Sequence, residues 1–168
     1  LIGVLNPYIN KDKLENLSKN KVKTFSLELL PRITRAQSMD ILSSQANLAG
    51  YKAVIESFAN FEKAIPMMMT AAGTVPAAKV LIVGAGVAGL AAIGASHSLG
   101  AIVRAFDTRV AVRDEVKSLG GEFLELDLEE DGTGAGGYAK QMSEDFIKAE
   151  MELFAQQAAE VDTVSYTH

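Results

Sequence analysis

Three glycines in the middle of the chain have the spacing of a phosphate-binding turn. Gly84, Gly86 and Gly89 form the pattern G-x-G-x-x-G, directly after a short apolar run and before a helical pattern. In such a turn the first glycine allows a sharp bend, the second leaves room for a pyrophosphate, and the third lets the helix pack on the strand. Backbone N–H groups, including those of Ala85 and Val87, and the helix dipole hold the phosphates. The turn predicts a dinucleotide site, with helix packing alone as the alternative.

An acidic residue follows the turn at the distance expected for a ribose contact. Asp107 lies eighteen residues past Gly89, at the predicted end of the next strand. A carboxylate there accepts hydrogen bonds from the adenosine ribose and repels a 2′-phosphate, which favours NAD over NADP. Arg104 and Arg109 flank this acid, and an arginine in this place can instead bind a 2′-phosphate. We therefore predict NAD(H) contacts from Asp107, Thr108 and Arg109, with NADP left as an alternative.

A second polar cluster lies in residues 31–40, at the predicted start of a long helix. Thr34 and Gln37 have the spacing of a capping box, with Thr34 as the N-cap and Gln37 at position N3. Because capping boxes are common at helix starts, the residues by themselves favour this structural interpretation over a functional one. His97, on the helix after the glycine-rich turn, is likewise interpreted as a structural histidine and not as a catalytic base.

Alternating strand and helix patterns position the glycine-rich turn and the acid. Strands that alternate with helices predict a parallel, doubly wound sheet, and the pattern stops before such a sheet would be complete. The predicted strands are residues 79–83, 101–106, 122–126 and 161–164, and the predicted helices are residues 87–99, 110–119 and 144–160. The acid- and glycine-rich segment 127–138 is predicted to be a mobile loop.

Another unit precedes this sheet. Residues 1–8 and 22–29 are apolar and flank the helix-like segment 11–19, which is an incomplete βαβ pattern. Residues 31–65 are predicted to form one long amphipathic helix, because apolar residues recur at seven-residue spacing: Ile41, Leu48 and Ile55. Pro66, three consecutive methionines, Gly73 and Pro76 then mark a boundary before the next strand.

The predicted fold class is α/β, a Rossmann-like doubly wound parallel sheet that is incomplete and is preceded by part of a second α/β domain and a long connecting helix. We predict that residues 1–30 end the first α/β domain, that residues 31–78 are the long helix and a linker, and that residues 79–168 are an NAD(H)-binding Rossmann domain truncated at its C-terminus. The chain begins with Leu1 in an apolar run and not with Met, which predicts a piece of a longer polypeptide.

Composition argues against several other classes of function. The net charge of −5 argues against a nucleic-acid partner, because phosphate contacts need clustered Lys and Arg. With no cysteine and two histidines, we predict no disulfide, iron–sulfur cluster or metal site. Residues 80–103 are 24 uncharged residues, long enough for a membrane span, but their five glycines favour a strand followed by a helix. No direct membrane insertion is therefore predicted.

Residues 31–54, 67–109 and 136–158 resemble the alpha subunit of bacterial proton-translocating NAD(P) transhydrogenases, and the resemblance covers nearly the whole chain. It implies the NAD(H)-binding component of such an enzyme, in which two Rossmann-like domains clasp the nucleotide. The implied site residues are matched one by one. Arg32, Gln37 and Asp40 match the family's catalytic Arg-Gln-Asp loop beside the nicotinamide, Ser43 matches a nearby cofactor contact, and Tyr138 matches a mobile-loop tyrosine that closes over the nucleotide.

The resemblance also implies a mechanism and partners. Hydride passes directly from NADH to NADP⁺, which a partner component holds, and the membrane-spanning component couples this transfer to proton translocation. Such a transfer needs two rings held face to face with water excluded, and it needs no nucleophile or metal. The resemblance further implies a homodimer in the parent protein. Its implied place is peripheral, on the cytoplasmic side of the bacterial inner membrane or on the matrix side in a mitochondrion.

Two other functions stay open on the sequence. An alanine dehydrogenase-like NAD enzyme has the same architecture but needs an amino-acid site from a first domain that is expected upstream of Leu1. The other is a truncated module that binds dinucleotide without catalysis. Residues 163–168 depart from the Thr-Thr-Ala-Leu-Ile-Pro-Gly-like loop of the transhydrogenase family, which predicts a fragment. The isolated chain is expected to be inactive, because the NADP(H)-binding component and the membrane helices that the resemblance implies are not among its residues.

Overall fold

The computed structural model describes residues 1–128, 130–134 and 139–166. The chain divides into two compact units, residues 1–45 and residues 46–168. In chain order the elements up to the second helix are β1 (Ile2–Gly3), α1 (Lys11–Lys19), β2 (Phe25–Ser26) and α2 (Ile41–Ala59). The rest are β3 (Met68–Thr70), β4 (Gly73–Val75), β5 (Lys79–Val83), α3 (Val87–Ser98), β6 (Ile102–Phe106), α4 (Arg113–Ser118), β7 (Glu122–Phe123), α5 (Glu144–Ala158) and β8 (Thr163–Tyr166).

The smaller unit contains the predicted βαβ pattern. Strands β1 and β2 pair in parallel, with Ile2 opposite Phe25, and α1 connects them. Each strand has only two residues in the ladder, although the apolar segments around them are longer. The prediction of parallel strands joined by a helix is confirmed, with α1 at the predicted bounds.

A parallel sheet forms the centre of the larger unit. Within the described residues its strand order is β7-β6-β5-β8, and each neighbouring pair is parallel. Strand β5 has the predicted bounds, and Val80, Leu81 and Ile82 are each at most 2% exposed. Such a run is typical of a parallel strand covered on both faces. The predicted α/β fold class with a parallel sheet is confirmed.

Helices cover the two faces of this sheet. On one face the apolar side chains of β5 and β6 pack with residues of α2, α3 and α4, which include Val54, Ile93 and Val116. On the other face Phe106 packs against Phe146 and Phe154 of α5, with ring centroids 6.5 and 5.3 Å apart. Alternate residues of one strand point to opposite faces, which is why Phe106 and its neighbour Ala105 face different helices.

The long helix differs from the prediction. The sequence pattern predicts one helix over residues 31–65, but α2 runs from Ile41 to Ala59 and a short 3₁₀ helix, Thr34–Met39, precedes it. The buried positions of α2 are Gly50, Val54 and Phe58, at four-residue spacing, whereas Leu48 of the predicted apolar stripe is 58% exposed. The face with Gly50 is buried because α2 approaches α3 closely there, so that any Cβ at Gly50 would overlap the carbonyl group of Ala88.

The predicted linker contains a β-hairpin that sequence reasoning missed. Strands β3 and β4 are antiparallel, with Met68 opposite Val75 and Thr70 opposite Gly73. Gly73 has a φ of 125°, which a side chain disfavours, and this explains a glycine at the turn. All three residues of β3 are exposed, with Met69 at 85%. The strand therefore lacks the alternation of buried apolar and exposed polar residues by which strands are predicted from a sequence.

In the part of the chain that the structure describes, no helix is long and apolar enough to cross a membrane. The uncharged segment 80–103 is divided between β5, the glycine-rich turn, α3 and the start of β6.

Candidate dinucleotide-binding site

The glycine-rich turn connects the carboxyl end of β5 to the start of α3. Gly84 has a φ of 91°, a conformation that favours glycine, and its N–H donates a hydrogen bond to the carbonyl of Phe106 at 2.7 Å. Gly89 lies so close to Gly84 that a Cβ would overlap the Gly84 carbonyl. These two positions therefore need glycine for the turn to form and for the helix to pack on the strand.

Gly86 is in a different situation, because its backbone is ordinary and the space beside it is open. Its φ is −79°, and among the described atoms a Cβ added here would meet none within 4 Å. Gly86 is also the N-cap residue of α3, where no described side chain accepts a cap hydrogen bond. The first N–H groups of α3 thus keep their capacity to donate to an anion, and the open space is a cradle that a side chain would fill.

Asp107 lies at the end of β6 and contacts the turn directly. Its Oδ2 accepts a hydrogen bond from the Ala85 N–H at 2.7 Å. Its Oδ1 accepts from the Arg109 N–H at 2.8 Å and from Nε of the same residue at 2.8 Å, while Nη2 of Arg109 donates to Oδ2 at 2.7 Å. The residue is 8% exposed, so the acid predicted to contact ribose is a buried, ion-paired carboxylate.

The protonation state of Asp107 follows from these contacts. Burial by itself would raise the pKa of Asp107, but hydrogen bonds from the Arg109 side chain and backbone, and from Ala85, lower it below the ordinary value. The same pairing raises the pKa of Arg109. Both groups are therefore charged at neutral pH. Arg104, the other flanking arginine, instead donates to Gln157 of α5 at 2.8 Å and to Glu160, just after that helix, at 2.7 Å.

A small cavity next to Asp107 was missed by sequence reasoning. Its volume is about 120 Å³, and its lining includes Thr108, Leu124 and Leu126 after the ends of β6 and β7. Gly132 of the acid- and glycine-rich segment lies beside the same strand end, because it donates its N–H to the Thr108 carbonyl at 2.8 Å. The apolar residues that follow β7 were the signal in the sequence from which this cavity could have been predicted, but their pattern predicts a longer strand instead.

The second polar cluster lies in the smaller unit. Arg32, Gln37, Asp40 and Ser43 all line a pocket of about 300 Å³. The structure therefore brings together the four residues that the family resemblance singles out in this segment. Thr34 lines the same pocket, but the prediction that it caps a helix is wrong, since Ile33 is the N-cap of the 3₁₀ helix and no described side chain caps it.

Asp40 is the residue that caps α2. Its Oδ1 accepts from the Ser43 N–H at 2.9 Å, and its Oδ2 accepts from the Ser43 hydroxyl at 2.7 Å. The backbone and side chain of Ser43 lower the pKa of Asp40, and the charge of Arg32 lowers it further. Asp40 thus presents a carboxylate whose position is set by the first turn of α2.

Two predictions concern residues outside the two clusters, a loop tyrosine and a structural histidine. Tyr138 lies outside the described residues. His97 is exposed on α3, and its ring lies so close to Gly120 that a Cβ there would be 2.5 Å from the imidazole Cε1.

A parallel sheet with a glycine-rich turn after one strand and an acid after the next defines the Rossmann class of nucleotide-binding domains. The chain belongs to the alanine dehydrogenase/PNT family: the model of the C-terminal domain matches residues 53–167, and the model of the N-terminal domain matches residues 1–49. Membership of this family implies that the domain binds NAD(H).

Relatives and solved structures agree with this assignment. The chain is 52% identical over 158 residues to NAD(P) transhydrogenase subunit alpha of Haemophilus influenzae, covering 94% of this chain and 31% of that protein. It is 48% identical over 169 aligned positions to NAD(P) transhydrogenase subunit alpha of Cereibacter sphaeroides, covering 99% and 32%. The crystal structure of transhydrogenase from Sinorhizobium meliloti matches with a TM-score of 0.79 and 44% identity, over 99% of this chain and 42% of that one. The chain spans less than half the length of each.

Proposed function

We propose that this chain is part of the NAD(H)-binding component of a proton-translocating NAD(P) transhydrogenase. The observation that carries the proposal is the open space at Gly86, in front of the uncapped start of α3 and next to the turn that Asp107 holds. A pyrophosphate fits there because backbone N–H groups and the helix dipole both favour an anion. Relatives about half identical to this chain, which are named transhydrogenase alpha subunits, support this enzyme over an alanine dehydrogenase.

The residues of the larger unit would hold the adenosine half of the nucleotide. Gly86 and Val87 would donate backbone N–H groups to the pyrophosphate, and Ala85, whose own N–H donates to Asp107, would line the same turn. The carboxylate of Asp107 would accept hydrogen bonds from the adenosine ribose and repel a 2′-phosphate, so NADH is the expected ligand and NADPH the weaker one. Thr108 borders the cavity after β6 and would contact the adenosine side.

The cluster in the smaller unit would position the reacting ring. The bound NADH supplies the hydride, and the protein supplies orientation and exclusion of water. Arg32 and Gln37 are the catalytic candidates because they can donate hydrogen bonds to a carboxamide or to neighbouring phosphate oxygens. Asp40 and Ser43 would fix the shape of that pocket through their two mutual hydrogen bonds. Tyr138 is carried over from the family resemblance alone.

The finer assignments complete the proposal. The NADP(H)-binding and membrane-spanning components would be the partners, the parent would be a homodimer, and its position would be peripheral on the cytoplasmic or matrix side. The end of the first domain would be residues 1–30, and the helix with its linker would be residues 31–78. The NAD(H)-binding domain would be residues 79–168. Hydride transfer would then occur only in the assembled enzyme.

A nucleotide titration tests the proposal. The full 168-residue chain is titrated with NADH and, separately, with NADPH while nucleotide fluorescence is followed. We expect saturable NADH binding that is tighter than NADPH binding, and a loss of at least about tenfold in Gly86→Ala, because the new methyl group fills the pyrophosphate space. Gly94→Ala is the matched control on the same helix, since its nearest contact would be an ordinary 3.7 Å from Leu119. NADH binding that is unchanged in a folded Gly86→Ala chain would contradict the site.

A second experiment tests the ring-positioning cluster. In the complete enzyme, Arg32→Ala and Gln37→Ala should slow hydride transfer by about tenfold or more while changing NADH affinity much less. Equal losses in binding and transfer would argue against positioning. NADH oxidation that depends on pyruvate and ammonia would instead support an alanine dehydrogenase.

A further inference from the structure

The carboxylate of Asp107 is saturated with hydrogen bonds before any nucleotide is bound. An ionised carboxylate offers about four acceptor positions in its plane. The described donors are the N–H of Ala85, the N–H of Arg109, and the Nε and Nη2 groups of Arg109, all at 2.7 or 2.8 Å. Ribose hydroxyl groups can therefore bind this carboxylate only after a donor has left.

Two of these donors are fixed by the backbone. Ala85 belongs to the glycine-rich turn, which the hydrogen bond between Gly84 and Phe106 attaches to the end of β6. The N–H of Arg109 is two residues from the carboxylate it binds, so it cannot leave without rebuilding the chain after β6. The other two donors are on the guanidinium, at the end of a flexible side chain that is 18% exposed. The guanidinium is therefore the donor that can be exchanged at least cost.

We propose that Arg109 is a specificity-determining residue that competes with the adenosine ribose for Asp107 and is displaced when NADH binds. This inference rests on the proposed NAD(H) site. The planar fork of the guanidinium spans both carboxylate oxygens, as the two hydroxyl groups of a ribose do. The displaced guanidinium stays within the reach of its side chain from the ribose edge, where it attracts a 2′-phosphate. Arg109 thus weakens NADH binding and strengthens NADPH binding.

The consequence for affinity has a definite direction. A protein whose binding-competent state is only partly populated binds with an apparent affinity reduced by that fraction. Replacing Arg109 by an uncharged residue frees the exchangeable acceptor positions, so NADH affinity should rise about tenfold. NADPH affinity should fall, because the cation that would meet the 2′-phosphate is gone. A purely structural arginine would give the opposite result for NADH, since its loss would leave the acid badly positioned.

The test compares variants of the full 168-residue chain in NADH and NADPH fluorescence titrations. Arg109→Gln removes the charge and the fork, and Arg109→Lys keeps the charge but cannot bind both oxygens in the planar geometry. Lys52→Gln is the control for the loss of one positive charge, because Lys52 lies on α2 and pairs with Glu56. Thermal unfolding of each variant establishes that it is folded.

The expected result is an NADH affinity about tenfold higher in Arg109→Gln, an intermediate value in Arg109→Lys, and no change in Lys52→Gln. The ratio of NADH to NADPH affinity should rise from the wild-type chain through Arg109→Lys to Arg109→Gln. Unchanged or weaker NADH binding in a folded Arg109→Gln chain overturns the inference, and if that variant does not fold, the Arg109→Lys result decides in the same way. If the wild-type chain binds NADH and only Gly86→Ala loses it, the proposed function survives and this inference alone fails. If no folded chain binds NADH, both fail.

Discussion

The carboxylate of Asp107 joins the end of β6 to the glycine-rich turn, because its Oδ2 accepts a hydrogen bond from the N–H of Ala85 at 2.7 Å. The acid that would recognise ribose is therefore also a structural contact of the turn that would bind phosphate. A substitution of Asp107 should affect stability as well as nucleotide binding. The two effects can be separated by their dependence on pH and on ligand.

Asp107 should make stability depend on pH. Its pKa in the folded chain is lowered, so its contribution is present above the ordinary carboxyl pKa and is lost as the pH falls through the folded-state pKa. Asp107→Asn should lower the free energy of unfolding at pH 7 by about 1 to 3 kcal/mol. The difference between the two chains should shrink below about pH 4. Urea unfolding at pH 7 and at about pH 3 measures this, and an equal difference at both pH values would contradict it.

Gly89 should tolerate no side chain. A Cβ here would overlap the carbonyl of Gly84, so Gly89→Ala should lower the free energy of unfolding by about 1 to 3 kcal/mol even without nucleotide. The control is Gly94→Ala on the same helix, where the added methyl group meets Leu119 at an ordinary 3.7 Å. Chemical unfolding of both variants measures the difference, and equal stabilities would show that the turn can shift to make room.

Asp40 should stabilise the start of α2. Asp40→Ala removes the acceptor for the Ser43 N–H, and the midpoint of thermal unfolding should fall by about 2 to 4 °C. Asp40→Asn should keep most of the stability, because asparagine caps helices as well as aspartate does. If Asp40→Asn stays folded but slows hydride transfer in the complete enzyme, the carboxylate has a function beyond capping. A thermal midpoint that is unchanged in Asp40→Ala would argue against the cap.

Gly132 should hold the acidic segment against the end of β6. A Cβ at this position would lie 2.5 Å from Oγ1 of Thr108, so Gly132→Ala should break the hydrogen bond between Gly132 and the Thr108 carbonyl. The hydrogen bonds that Glu130 accepts from the N–H and hydroxyl of Ser143 should then break more often, which exposes the backbone at Glu130. Cleavage after Glu130 by a glutamate-specific protease should become several-fold faster, with Gly94→Ala as the control. An unchanged rate would mean that the segment is held by other contacts.

Local patterns predicted the larger unit well. The apolar run, the glycine spacing and the following helical pattern are neighbours in the chain, so β5 and the start of α3 are observed at the predicted residues. Strand β7 is shorter than predicted and β8 begins later, because strand ends depend on the partner strand and not on the residues alone. The domain boundaries and the functions of the individual site residues stay predictions.

The start of α2 shows why a local motif can mislead. Thr34 and Gln37 have capping spacing, but Asp40 with Ser43 is the pair that caps the helix. Both pairs satisfy the same pattern of acceptor and N–H donor three residues apart. The sequence does not say which of two adjacent helical segments is the α-helix, and the packing of Gly50 and Val54 favours the later one.

By itself the sequence determined the class of fold, the glycine-rich turn and the acid at the end of the next strand, because each depends on residues that are close in the chain. The tertiary structure decided which donors surround that acid. Ala85 contacts Asp107 across 22 residues of sequence, and Gly132, which follows β7 in the chain, contacts Thr108 before β7. Such contacts depend on how strands and loops fold back on one another, so spacing along the chain cannot specify them, and for this reason the saturation of Asp107 by Arg109 could be seen only in three dimensions.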